Sequence, residues 1–141
     1  MIECRTMASA ERFDAFTLMS SFRSDQAALG DALALFIDRP DYGFVWLAYD
    51  DGRAAACVSV GLGISTQGGG LVATLHDLWV APAHRRRGVG SALVATLRGR
   101  LLPLDVLRIE TTSTDDPASR ALFARLGFVE RSAIAVSLDL R

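Results

Sequence analysis

Apolar positions along this chain switch repeatedly between a period near 3.6 and a period of two, and the switches mark its elements. Ile2 to Met7 reads as a short strand, and Ala8 to Ser20 as a helix carrying Phe13, Phe16 and Leu18. Gln26 to Ile37 is a second helix, because Ala28, Leu29, Ala32, Leu33 and Phe36 recur at helical spacing. Asp38-Arg39-Pro40 stops it, since the residue before a proline avoids helix. Gly43 to Tyr49 and Arg53 to Leu62 are strands joined through Asp50-Asp51-Gly52, an Asp-Gly hairpin signal. The polar, glycine-rich run Ser65 to Gly70 reads as a mobile loop, and Leu71 to Val80 as a long strand. Ser91 to Leu102 is a helix with Leu93, Val94, Leu97 and Leu101 on one side, and Pro103 breaks it. After the strand Val106 to Thr111, Asp116 caps and Pro117 opens a helix that ends at Gly127. Ala133 to Leu140 alternates and closes the chain as a strand.

The order is β-α-α-β-β-β-α-β-α-β, with three antiparallel neighbours in the middle and one strand–helix–strand crossover near the end. It predicts an α+β fold, a single domain over residues 1–141, with a mixed, mostly antiparallel sheet flanked by helices. A net charge of −1 gives no long-range pull on nucleic acid, and no apolar stretch is long enough to span a bilayer. Nucleic acid and membrane are therefore not expected as partners. The first residues, Met1 to Arg5, carry no apolar signal run. Cys4 and Cys57 fall in strands at a spacing that suits no metal motif. No metal is expected, and both read as buried free thiols, consistent with a cytoplasmic home.

The chemistry concentrates in Val80-Ala81-Pro82-Ala83-His84-Arg85-Arg86-Arg87-Gly88-Val89-Gly90-Ser91. An apolar strand leads in and an amphipathic helix leads out. Gly88 and Gly90 clear side chains from the turn, the helix start offers unpaired N–H groups, and Arg85, Arg86 and Arg87 add permanent charge. Such a junction suits a phosphate-bearing ligand. It is not a P-loop, because the chain has no Lys. It is not a dinucleotide fingerprint either, because Leu93 stands where a third glycine belongs. The plain alternative is a glycine turn beside a solvated arginine run.

Arg85-Arg86-Arg87-Gly88-Val89-Gly90 resembles the Gln/Arg-x-x-Gly-x-Gly/Ala signature of the GNAT family of N-acetyltransferases. Ala121-Leu122-Phe123-Ala124-Arg125-Leu126-Gly127-Phe128 is similar to that family's second motif, and the element order matches along essentially the whole chain. The resemblance implies a splayed pair of parallel strands and acetyl-CoA as cosubstrate. It places the pyrophosphate on the N–H groups of Arg86 to Ser91, the pantetheine arm along Leu78, Trp79 and Val80, and Ser119 and Phe123 beside it. It implies direct transfer to the amine of a small molecule or peptide, and a homodimer by analogy. The family's usual proton-donating Tyr is Phe123 here, and its usual Asn is Asp116. Phe123 cannot donate a proton, so water, Ser119, Ser113 or unassisted thiolate departure must serve. A non-catalytic acyl-CoA sensor or assembly module is the alternative that Phe123 favours.

An amine with a pKa near 10 must lose a proton before it attacks. Strand alternation puts Leu75, Asp77 and Trp79 on one face, which makes Asp77 the first candidate base or the holder of a cationic acceptor. Its structural alternative is a pairing with an arginine or a loop N–H. Glu110 is the second candidate, with an Arg108 ion pair as the preferred reading. His76 falls opposite Asp77 and reads as a packed ring, while His84 reads as a solvent or phosphate contact. Phe44, Trp46 and Trp79 read as core.

Overall fold

All eight residues of the second strand are buried, because a helical layer covers each face of the sheet it runs through. A computed structural model describes residues 1–112 and 116–141 of the chain. Its strands are β1 (Ile2–Thr6), β2 (Gly43–Asp50), β3 (Arg53–Ser65), β4 (Gly70–Val80) and β5 (Val106–Thr111), in the spatial order β1-β2-β3-β4-β5. The first four pair antiparallel, and β4 and β5 pair parallel. Helices α1 (Arg12–Met19) and α2 (Gln26–Asp38) cover one face, where Ala15, Leu18, Leu29 and Leu33 meet Val45, Leu47 and Cys57. Helix α3 (Val89–Leu101) and helix α4 (Pro117–Arg125) lie on the other, where Leu93, Leu97 and Phe123 meet Trp46, Val58 and Leu75. With β2 flanked on both sides, its Phe-Val-Trp-Leu-Ala-Tyr run is continuously apolar rather than alternating.

Three connections differ from the sequence expectation. The segment read as the mobile loop Ser65 to Gly70 is a hairpin: β3 runs to Ser65, β4 starts at Gly70, and the Ser65 hydroxyl accepts from the Gly68 N–H at 3.0 Å. Within the first helix, a 3-10 turn at Ser9–Glu11 precedes α1, and Phe13 lies exposed on its outer side. Ala133 to Leu140 forms no strand: residues 129–141 carry no regular structure, and Ile134, Val136, Leu138 and Leu140 are 84–90% exposed. A strand needs a ladder partner, and the chain's exit does not supply one. After Gly127 the backbone doubles back along α4, where Arg120 donates to Glu130 through Nε (2.9 Å) and Nη2 (2.8 Å).

The β4–β5 pairing runs from Leu71↔Val106 to Leu75↔Thr111 and stops there, with the Thr111 hydroxyl donating to the Leu75 carbonyl at 3.3 Å. β5 ends at Thr111 while β4 continues to Val80, toward the start of α3.

Candidate functional site

The end of β4 beyond its pairing with β5 leads to the start of α3. Gly88 adopts a left-handed conformation (φ 78°) with open space around its missing Cβ, and its carbonyl accepts the Ala92 N–H at 3.0 Å. The helix thus begins two residues earlier than its periodicity indicated. Val89, Gly90 and Ser91 form its first turn, whose N–H groups have no acceptor within the helix. Arg86 is also left-handed (φ 63°), so the backbone curls around the helix entrance. Val89 is buried and contributes only its main chain there. Gly90 serves a different end from the one the sequence suggested. A Cβ on it would meet Val80 Cγ2 at 3.3 Å and Leu122 Cδ2 at 3.6 Å, so its bareness lets α3 sit close to β4 and α4.

The three arginines do not converge. Arg85 donates from Nε to the Val80 carbonyl at 2.9 Å and lies over the Trp79 ring at 4.7 Å. Arg87 Nε sits 3.3 Å from Asp50 Oδ2, and His84 Nδ1 bonds the same oxygen at 3.0 Å. Arg86 has no ion pair among the described residues. Asp50 is only 5% exposed, so its carboxylate is a buried anchor tying both ends of the loop to the end of β2. Sequence reading missed it as a turn residue. The signal was there, because a two-residue turn needs only Asp51 and Gly52 (φ 49° and 81°), which leaves Asp50 for other work.

Asp77 does not lie where alternation put it. Cys57 opposes Trp79 and Ser59 opposes His76, so β4 carries one extra residue between these pairs. Asp77 takes φ 57° in that bulge. A bulge exchanges the faces of the residues beyond it. Leu75 packs with α3, whereas Trp79 packs toward α1 and α2, against Phe22 at 5.4 Å. Asp77 faces a cavity of about 420 Å³ beneath α1 and α2, and its carboxylate is ion-paired with Arg23. His76 is exposed rather than packed, and its carbonyl accepts from the Ser59 hydroxyl at 3.0 Å. Trp79 is half-buried rather than core, and its indole N–H is buried with no acceptor among the described residues. Phe44 and Trp46 are core, as read.

Glu110 accepts from Arg108 Nε at 2.5 Å, the expected pairing. Asp116 caps α4 through the Ala118 N–H and accepts the Ser119 hydroxyl at 2.9 Å, which holds its carboxyl below the usual range. Phe123 is buried against Phe128, ring centres 5.0 Å apart. Ser113 lies outside the described residues. Both cysteines are free. Cys4 is only partly buried, whereas Cys57 is fully buried, and burial together with the nearby Asp77 charge pushes the Cys57 thiol up to about 12. A thiol so rarely ionised is no nucleophile at neutral pH. Among the described residues no cluster of His, Cys, Asp and Glu is built to hold a metal ion, and no helix is long and apolar enough to cross a membrane.

A strand that outruns its parallel neighbour and leads into a bare helix entrance is where the first motif lies, and the family comparison adds to it. The sequence model of the acetyltransferase (GNAT) family matches residues 9–128. This chain belongs to the GNAT family. Among relatives, a 46-residue stretch is 50% identical to the L-2,4-diaminobutyric acid acetyltransferase of Nocardia farcinica (strain IFM 10152), covering 32% of this chain and 24% of that protein. The fold matches an integron cassette protein from the mobile metagenome of Cole Harbour Salt Marsh, with TM-score 0.85 and 24% identity over 98% of this chain and 90% of the other. It also matches AAC(6′)-Iy in complex with the bisubstrate analogue CoA-S-monomethyl-acetylneamine, with TM-score 0.78 and 17% identity over 99% of this chain and 98% of that one. The five-stranded mixed sheet with its parallel β4 and β5 is the fold this chain shares with its GNAT neighbours.

Proposed function

We propose that residues 1–141 form one N-acetyltransferase domain that moves the acetyl group of acetyl-CoA to a primary amine by direct attack in a ternary complex. The observation that carries this reading is that β4 runs on beyond its last pairing with β5, at Leu75↔Thr111, to Val80 beside the entrance of α3. Backbone groups of Leu78, Trp79 and Val80 pair with the pantetheine arm, Arg85 giving up the Val80 carbonyl, and the N–H groups of Arg86 to Ser91 hold the diphosphate. Asp77 takes the amine, because it lines the cavity beneath α1 and α2, whereas Glu110 does not line that cavity and pairs with Arg108. The ammonium gives its proton to Asp77 directly or through water, and the neutral nitrogen attacks the thioester carbon. As the C–S bond breaks the sulfur leaves as thiolate. A thiol pKa near 8.5 lets it go without an acid, as Phe123 requires.

A panel of primary amines assayed for free CoA tests this. Release with at least one amine, lost in Gly88→Glu, is the expected result. The second reading is an acyl-CoA sensor, favoured by Phe123. It predicts that acetyl-CoA raises the melting temperature while no amine on the panel frees CoA. The two free cysteines fit a reducing, cytoplasmic setting.

A second copy of the chain is the partner that the tail fits. Beyond the Arg120–Glu130 anchor, residues 133–140 are exposed and paired with no strand among the described residues. Another copy's β5 presents an open edge, and each chain would offer one strand and accept one. Light scattering should give twice the 15.2 kDa chain mass, and one chain mass for Ile134→Glu with Val136→Glu. A monomer for the parent chain removes the dimer.

A further inference from the structure

The cavity beneath α1 and α2 narrows the acceptor, given the acetyl-transfer reading above. Its apolar walls come from Met19, Leu29, Leu33 and Phe36, and its rim holds one ion pair, Arg23 with Asp77. At about 420 Å³ it suits a small molecule. Arg23 stands on the short connector between α1 and α2, more than half exposed, whereas Asp77 is fixed in the β4 bulge and only a quarter exposed. The carboxylate is therefore the stationary partner, and the guanidinium, which also lies over the Phe22 ring at 5.4 Å, the one that moves. Asp25, also on the rim, is occupied as the cap of α2, where its Oδ1 accepts the Ala28 N–H at 3.0 Å.

Opposite charges in contact at the mouth of an apolar pocket discriminate among ligands. A simple amine reaches Asp77 only by displacing Arg23. One ion pair breaks, one forms, and a guanidinium is left without its partner. An amino acid enters differently. Its ammonium takes Asp77, its carboxylate takes Arg23, and one ion pair becomes two with no net charge added. The two protein charges start in contact, so a ligand bridging them needs its own charges close together, as in an α-amino acid. The side chain then points into the apolar walls.

We infer that the acceptor is a free α-amino acid with an apolar side chain, acetylated at its α-amine, with Arg23 as the specificity-determining residue. Asp77 sits one residue before Leu78, where the pantetheine segment begins, so this amine stands beside the thioester.

The test compares each amino acid with its decarboxylated counterpart: leucine with isoamylamine, phenylalanine with phenethylamine. Free CoA is the readout, for the parent and for Arg23→Gln. The parent should favour the amino acid at least tenfold in kcat/KM. Arg23→Gln should erase or reverse that preference while the KM for acetyl-CoA stays within twofold. Equal or better turnover of the decarboxylated amine by the parent overturns the inference, as does an equal loss on both substrates in Arg23→Gln. Calorimetry with CoA present reads the same preference without chemistry. Failure to bind either amino acid there overturns the inference, whereas CoA release with any other amine leaves the acetyl-transfer reading standing.

Discussion

Gly88→Glu should weaken acetyl-CoA binding at least a hundredfold while the protein still folds. The position is left-handed, so any L side chain costs about 1–2 kcal/mol, and nothing lies within 4 Å of the new Cβ to add a clash. For a chain of this size that is a melting-temperature loss of roughly 3–7 °C. The carboxylate recovers part of it, because a negative charge at a helix N-terminus is favourable in the free protein. The same charge occupies the place of the diphosphate, and loss of about 3 kcal/mol of binding corresponds to the hundredfold. Gly88→Ala separates the two effects: it carries the backbone cost without the charge and should lose only a few-fold in affinity. Calorimetry with CoA and thermal unfolding of the three proteins measure both. Equal affinities for the Ala and Glu variants would remove the diphosphate from this helix entrance.

The features that could be read from sequence are those whose cause is local. The Asp-Gly hairpin, the Asp116-Pro117 helix start and the glycine–arginine junction each announce themselves within a few residues, and the structure forms all three. The α2 stripe from Leu29 to Leu33 was equally plain, since its period matches the face it buries. What escaped depended on partners far along the chain. Asp50 anchors His84 and Arg87, more than thirty residues away, and nothing near Asp50 advertises that. Arg23 lies in an unpatterned connector and meets Asp77 across 54 positions. The β4 bulge was hidden for another reason. No glycine or proline marks it, and both Leu75 and Trp79 are apolar, so the pattern reads as unbroken alternation while the faces exchange between them. That one inserted residue turned the candidate base from the sheet's α3 side to the side covered by α1 and α2. The tail shows the converse failure: residues 133–140 have the right alternation for a strand, but alternation names the faces and not the neighbour.

Asp77→Asn should lower kcat/KM for the acceptor by about a hundredfold to a thousandfold at neutral pH, the usual worth of a positioned proton acceptor. Asn is the substitution to choose because it tolerates the left-handed backbone that Asp77 occupies (φ 57°), so the bulge survives and the effect is chemical. Binding of acetyl-CoA, measured separately, should stay within twofold. The variant also divides the two roles open to Asp77. If the carboxylate removes the amine's proton, the deficit falls mainly in kcat. It shrinks as pH rises toward 10, where solution amine is already neutral. If the carboxylate only holds the ammonium, the deficit falls in KM, and raising the pH weakens the parent enzyme toward the variant instead. A full parental rate for Asp77→Asn from pH 6 to 9 would exclude both roles. The Arg23–Asp77 pair would then be a fastening between the α1–α2 connector and β4.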